Sequence, residues 1–304
     1  MDRSLDLGNL LTEQVNPNSV GLDGLSTEEM LTVFHREDRL AVEAVEQELP
    51  RIAAAVDAIA ACLLAGGRLF YTGAGTSGRL GVLDASECPP TFSVPPSLVT
   101  GIIAGGDTAL RNSLEATEDS PEAGAADLLA RGFCVKDALV GIAASGRTPY
   151  VLGALEAAHS LRALTACIVC SPYSPIAARV QFPIEVLTGP EVIAGSTRLK
   201  AGTATKLVLN MLSSGVMIRL GCVYSNLMVN VQPTNAKLVD RAERIVTVVT
   251  GLPRAAATQL LQGSGGSVRT AIVMGKLGIS REQAEARLSA CAGRVRDALA
   301  HAGH

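Results

Sequence analysis

The stretch 68-RLFYTGAGTSGRLGVLDASECPPTF-92 decides how the rest of this chain is read. Leu69, Phe70 and Tyr71 make a short apolar run that passes directly into Gly73-Ala74-Gly75-Thr76-Ser77-Gly78-Arg79, the pattern of a buried strand turning into a helix. Such a turn cradles anions. Glycines let backbone N–H groups crowd round a phosphate, Thr76 and Ser77 add hydroxyl donors, and the following helix presents the positive end of its dipole. Beyond the loop comes Glu87, then Cys88-Pro89-Pro90, whose prolines stiffen the backbone. A carboxylate held near a phosphate cradle is a candidate acid or base. Read without chemistry, the same residues are a tight strand-to-helix turn.

Gly73, Gly75 and Gly78 also match the G-x-G-x-x-G dinucleotide fingerprint, which alone is a weak signal. The following apolar segment leads into Ile102-Ile103-Ala104-Gly105-Gly106 and not into an acidic ribose ligand at the usual spacing, and no G-x-x-x-x-G-K-[ST] is present. The adjacent hydroxyls of Thr76 and Ser77 suit a single sugar phosphate better than a pyrophosphate.

Outward from this centre, strands and helices alternate, the pattern of a parallel sheet covered on both faces. Residues 99–104 read as a second strand, followed by a helical stretch from Gly105-Gly106-Asp107 through Leu114, Glu115, Thr117, Glu118 and Asp119, and by another helix from Pro121. Residues 138–143 read as a third strand running into Ala144-Ser145-Gly146-Arg147-Thr148-Pro149, a second hydroxyl-rich turn, with Pro149 suited to the first turn of a helix. Two such turns after parallel strands fall on the same carboxyl edge of the sheet and can share one phosphate. Residues 164–169 and 182–187 read as further strands. A long helix follows over 197–220, with Leu199, Thr203, Leu207, Met211 and Val216 facing the core and Arg198, Lys200 and Lys206 on other faces, by default solvated.

The flanks differ in texture. Residues 1–25 lack periodicity and read as an extended arm lying over something. Ser26-Thr27-Glu28-Glu29 is a capping box opening a helical hairpin, with Leu31, Phe34, Val42, Val45 and Leu49 at apolar spacing. Pro50 restarts a helix that ends at Gly66-Gly67. Residues 226–251 hold a loop and a helix. Beyond Pro253, short amphipathic segments, one opened by the capping box Ser280-Arg281-Glu282-Gln283, read as a small helical bundle. The expected organisation is an arm and helical hairpin over 1–55, a three-layer α/β sheet domain over 56–222, and a helical region over 223–304.

Composition narrows the function. At 304 residues and 48% apolar the chain buries a large core, and with apolar runs broken by charge and glycine it shows neither a membrane span nor a signal peptide, so a cytoplasmic location is expected. A net charge of −3 without a basic run, and 3% aromatic residues, argue against nucleic acid and for a small ligand. Seven scattered cysteines read as reduced thiols; Cys167 and Cys170 mimic C-x-x-C, yet strand alternation sends them to opposite faces. His35, His159, His301 and His304 lie outside the loops and form no ligand set, so no metal is expected.

The turns TGAGTSGR (72–79) and ASGRT (144–148) together resemble those of the sugar isomerase (SIS) domain, a phosphosugar-binding fold that uses no nucleotide. With Thr12, Glu13 and Asn16, the segments 72–92, 101-GIIAGG-106, 141-GIAASGRTPYV-151 and 195-GSTRLKAGTA-204 further resemble the N-acetylmuramic acid 6-phosphate etherases; in the tail 270-TAIVM-274 fits, whereas 263-GSGG-266 departs from that pattern. The resemblance implies a cofactor-free carbon–oxygen lyase of cell-wall amino sugar recycling, active as a homodimer on a phosphosugar. It assigns the proton donor to Glu87 and the base to Glu118, and substrate or phosphate contacts to Gly75, Thr76, Ser77, Arg79, Ser145, Gly146, Arg147, Thr148, Ser196 and Lys200. By itself Glu118 would rank no higher than Glu115. Two rivals remain at this stage: a non-catalytic sugar-phosphate sensor like the glucokinase regulatory protein, which is similar to this family, and a phosphosugar isomerase. Lactate release separates both from the etherase.

Overall fold

The computed structural model describes residues 10–231 and 235–300, so His301 and His304 and the first nine residues of the arm lie outside it. The described residues form two compact units, the first holding those up to Ser86 together with Pro96–Ser214, the second holding Glu87–Pro95 together with those from Gly215 onward. In the first, five parallel strands, β1 (Leu69–Gly73), β2 (Val99–Ile103), β3 (Ala138–Ile142), β4 (Leu164–Val169) and β5 (Phe182–Glu185), lie in the order β2-β1-β3-β4-β5. Every side chain of β1 and β3 is buried, as expected of strands covered on both faces.

The helices follow in chain order: α1 (Thr27–Gln47), α2 (Leu49–Leu64), α3 (Gly75–Phe92), α4 (Gly106–Ala109), α5 (Pro121–Ala130), α6 (Pro149–Ser160), α7 (Lys200–Arg219), α8 (Ala236–Thr250), α9 (Arg254–Gly263), α10 (Val268–Leu277), α11 (Arg281–Ala290) and α12 (Val295–Ala300). Phe70, Leu128, Leu139, Tyr150, Val151 and Leu155 form part of the core of the sheet unit. In the other unit Ile245, Val246, Leu261, Ile272, Val273 and Leu288 knit α8 to α11 into the expected helical bundle. Both capping boxes form, Ser26 with Glu29 and Ser280 with Gln283.

Three readings of local pattern need correction. The stretch after β2 is not one helix. Left-handed Gly105 and Gly106 open the short α4, and a separate 3-10 turn, Glu115–Glu118, follows. A side chain on Gly105 would press on Leu114 Cδ1 and Thr117 Oγ1, so the segment folds back against the end of β2.

Of the expected core stripe, Leu31 and Val42 on α1 and Leu49 at the start of α2 are exposed, and the buried positions of α1 are Glu37, Ala41 and Val45. On α7 the buried seam is Lys200, Ala201, Ala204, Val208, Leu212 and Val216, and Met211 is 39% exposed. A helix apolar on most faces fits several stripes of the same period, and its small residues, Ala201 and Ala204, pick the face that packs closest. Lys200, expected at the surface, has 1% of its surface exposed.

The arm does cover something. Thr12 and Asn16 are buried, Thr12 O accepts from Gly195 N, and Asn16 Nδ2 donates to Pro190 O and to Glu37 Oε2.

Candidate active site

Strand order β2-β1-β3-β4-β5 reverses direction at β1 and β3, and open α/β sheets bind ligands in the crevice beyond the strand ends at such a point. Both hydroxyl-rich turns are there. β1 ends at Gly73 and β3 at Ile142, which are register partners, so Thr76 and Ser77 leave the sheet beside Ser145 and Thr148. The first turn is held close to the sheet by an absence of side chains: a Cβ on Gly78 would lie 2.6 Å from Gly73 O and from Ile103 Cγ1. Gly75, with φ of 51°, then starts α3 with Thr76 and Ser77 half-buried and open to a ligand.

The second turn obeys the same logic. Gly146 has φ of 66°, and a Cβ there would meet Ser174 Cβ at 2.2 Å, so this position admits only glycine. Ser145 Oγ accepts from Arg147 N at 3.3 Å, shaping the loop. Thr148 precedes α6 without capping it through its side chain, which leaves its hydroxyl for a ligand at that helix N-terminus.

A third segment joins them. Gly202, in the first turn of α7, faces Thr76, whose Cγ2 would be 3.7 Å from a Cβ at Gly202. Ser196 is half-buried in the loop leading to it.

That loop is fixed by buried charge. Glu191, fully buried, accepts from Lys200 N at 2.8 Å and Ala201 N at 2.9 Å, capping α7 with both carboxylate oxygens. Burial raises the Glu191 carboxyl above its ordinary value, and the two backbone bonds oppose that rise. Lys200 Nζ donates to Glu37 Oε2 at 2.6 Å and to Pro190 O at 3.0 Å. Burial works to raise the Glu37 carboxyl, but hydrogen bonds from Lys200, Asn18 and Asn16 outweigh it and hold it below the usual carboxylate range. Neither Glu37 nor Glu191 carried a motif in the sequence; their role depends on partners that only the fold brings together. Lys200 therefore reaches the site as a strut of its loop, with its ammonium engaged by Glu37 and Pro190.

Arg79 is likewise a strut. Its guanidinium donates to Leu110 O at 3.3 Å and to Asn112 O at 3.0 Å, tying the first turns of α3 to the segment that carries Glu118. Glu118 closes the 3-10 turn Glu115–Glu118, half-buried, and α5 starts three residues later. The other glutamate belongs to the second unit. Glu87 is exposed on α3 where Pro89 and Pro90 remove two helix N–H donors, and it lines a cleft of about 770 Å³ with Pro90, Ser93, Asn235, Lys237 and Arg241. Lys237 and Arg241 were not singled out in the sequence, although they stand four residues apart on the helix capped by Asn235.

Cys167 and Cys170 carry no site chemistry. Both are buried and free, and burial pushes each thiol up to about 12, so they stay protonated.

Comparison with known proteins decides what this arrangement belongs to. A family model described as the glucokinase regulatory protein N-terminal SIS domain matches residues 51–159. The chain is 56% identical to the N-acetylmuramic acid 6-phosphate etherase of Serratia proteamaculans over 295 residues, 97% of this chain and 99% of that one. It is 53% identical to the etherase of Klebsiella aerogenes, over 98% of this chain and 99% of that one. The chain belongs to the N-acetylmuramic acid 6-phosphate etherase family. Among solved structures it is similar to a phosphoheptose isomerase from Francisella tularensis, with a TM-score of 0.50 and 22% identity over 64% of this chain and 99% of that one, a likeness of fold. The fold is thus the SIS fold expected from the two turns, and membership of the etherase family makes the chain an enzyme, which sets aside the sensor and the isomerase. Among the described residues, no helix of this family member is long and apolar enough to cross a membrane.

Proposed function

We propose that Glu118 and Glu87 divide the proton transfers by which this etherase works, with the 6-phosphate held by the β1–α3 and β3–α6 turns. The enzyme is a carbon–oxygen lyase that cleaves the D-lactyl ether of N-acetylmuramic acid 6-phosphate with water, giving N-acetylglucosamine 6-phosphate and D-lactate. In the ring-opened sugar the C2 hydrogen is alpha to the aldehyde, so a carboxylate can remove it. The electron pair then moves into the C2–C3 bond as the lactyl oxygen leaves C3, taking a proton from a carboxylic acid. Water adds to C3 of the unsaturated aldehyde, C2 regains a proton, and the ring closes. One carboxyl must therefore enter ionised and the other protonated. Glu118 is the proposed base and Glu87 the proposed acid.

The observation that carries the phosphate assignment is the pairing of two hydroxyl-bearing turns at the β1/β3 reversal. Ser77→Ala removes one hydroxyl donor to a charged group and should raise KM by about tenfold or more with little change in kcat. An unchanged KM places the phosphate elsewhere. The reaction is checked directly by assaying the purified protein for D-lactate; a protein that interconverts aldose and ketose and releases none contradicts it.

A homodimer with sites completed by the second copy is part of the same reading. Helix α1 runs for 21 residues yet buries only Glu37, Ala41 and Val45, leaving Leu31, Leu40 and Val42 exposed. Helices gain most of their stability from tertiary packing, so such a face calls for a cover. Met211 and Ile218 on α7 are also exposed. Sedimentation should give a dimer, with activity lost on dilution; a fully active monomer rules it out. The reading further places the enzyme in the cytoplasm, in recycling of cell-wall amino sugar, without a cofactor.

A further inference from the structure

The substrate carries two anions, the 6-phosphate and the carboxylate of the lactyl group, and the turns at the sheet edge answer only the first. We infer that Lys237 and Arg241 receive the lactyl carboxylate in the cleft they share with Glu87. This rests on the assignment of Glu87 as the acid, since the lactyl oxygen it protonates is two bonds from that carboxylate carbon.

Both cations line the Glu87 cleft with Pro90, Ser93 and Asn235. They are i and i+4 on α8, neighbours on one helix face. Their charges are uncommitted, unlike those around them. Asp240 is engaged by Arg244 at 2.9 Å and by Arg254 at 2.7 Å, and Arg254 also binds Glu243 at 2.7 Å. Among the described residues no carboxylate pairs with Lys237 or Arg241; the guanidinium of Arg241 donates instead to Met228 Sδ at 3.7 Å, a weak acceptor. A half-buried guanidinium beside a sulfur keeps its planar fork for a carboxylate, which it can bind through two parallel hydrogen bonds. The helix that supplies it is anchored: Asn235 caps its first turn, accepting from Leu238 N at 2.9 Å.

Two substrates separate this role from a structural one: N-acetylmuramic acid 6-phosphate and its analogue with the lactyl carboxylate converted to the carboxamide. The wild-type enzyme should favour the acid. Arg241→Met should lower kcat/KM for the acid by ~10- to 100-fold, the cost of a lost charge-assisted contact, leaving kcat/KM for the amide and inhibition by N-acetylglucosamine 6-phosphate unchanged. Lys237→Met should act in the same direction with a smaller fall, and Arg241→Lys should restore part of the loss. An equal fall on both substrates assigns Arg241 to packing, and an unchanged preference for the acid in the Lys237→Met/Arg241→Met double variant removes both residues from recognition; either result overturns the inference. The Glu87 assignment fails separately, by full lactate release from Glu87→Gln.

Discussion

Glu87→Gln should lower lactate release by ~10²–10⁴-fold while substrate binding stays measurable, since losing an essential proton-transfer group typically costs that much. Gln is isosteric and can still donate a hydrogen bond, so binding at the cleft persists while transfer of a proton to the departing lactyl oxygen does not. The residue is exposed on α3, so the substitution disturbs no core and a loss of activity is not a loss of fold. Wild-type rates in the variant would remove Glu87 from the mechanism.

Lys200→Met should destabilise the protein by about 3–5 kcal/mol, because it leaves the Glu37 carboxylate buried without its ion-pair partner. The expected readout is a lower midpoint in urea with an unchanged slope. Adding Glu37→Gln should recover much of the loss by removing the stranded charge. The double-mutant cycle thus measures the pair and not the volume of either side chain. KM should rise as well, since the same lysine braces Pro190 O in the loop that leads to Ser196 and to the face of α7 against Thr76. A single variant as stable as the wild type would mean that water or other groups already compensate Glu37.

Much of the fold was legible because its strands are short and mostly apolar, and β1, β2 and β3 run directly into glycine-bearing turns, signals that lie within a few residues of each other. The turn at residues 73–79 declared a strand, a close helix approach and an anion cradle at once, and Gly73 and Gly78 are pressed together as that reading required. Legibility failed where a residue's environment is set by distant chain. Lys200 read as a surface cation because its partner, Glu37, is 163 positions away. The stripes of α1 and α7 were misread because period alone does not say which of several apolar faces finds a neighbour. Glu118 had no local signal to distinguish it from Glu115; the break at Gly105 and Gly106 that folds its segment onto the sheet edge was visible as glycine but not as geometry.

Exchange of the substrate's C2 hydrogen with deuterated water, followed in the two glutamate variants, tests the division of proton work most directly. In a stepwise elimination C2 is deprotonated before the lactyl group departs. Glu118→Gln should therefore lose exchange and lactate release together, whereas Glu87→Gln should still exchange C2 while releasing almost no lactate. Exchange that survives in Glu118→Gln and vanishes in Glu87→Gln would reverse the two roles and contradict the account.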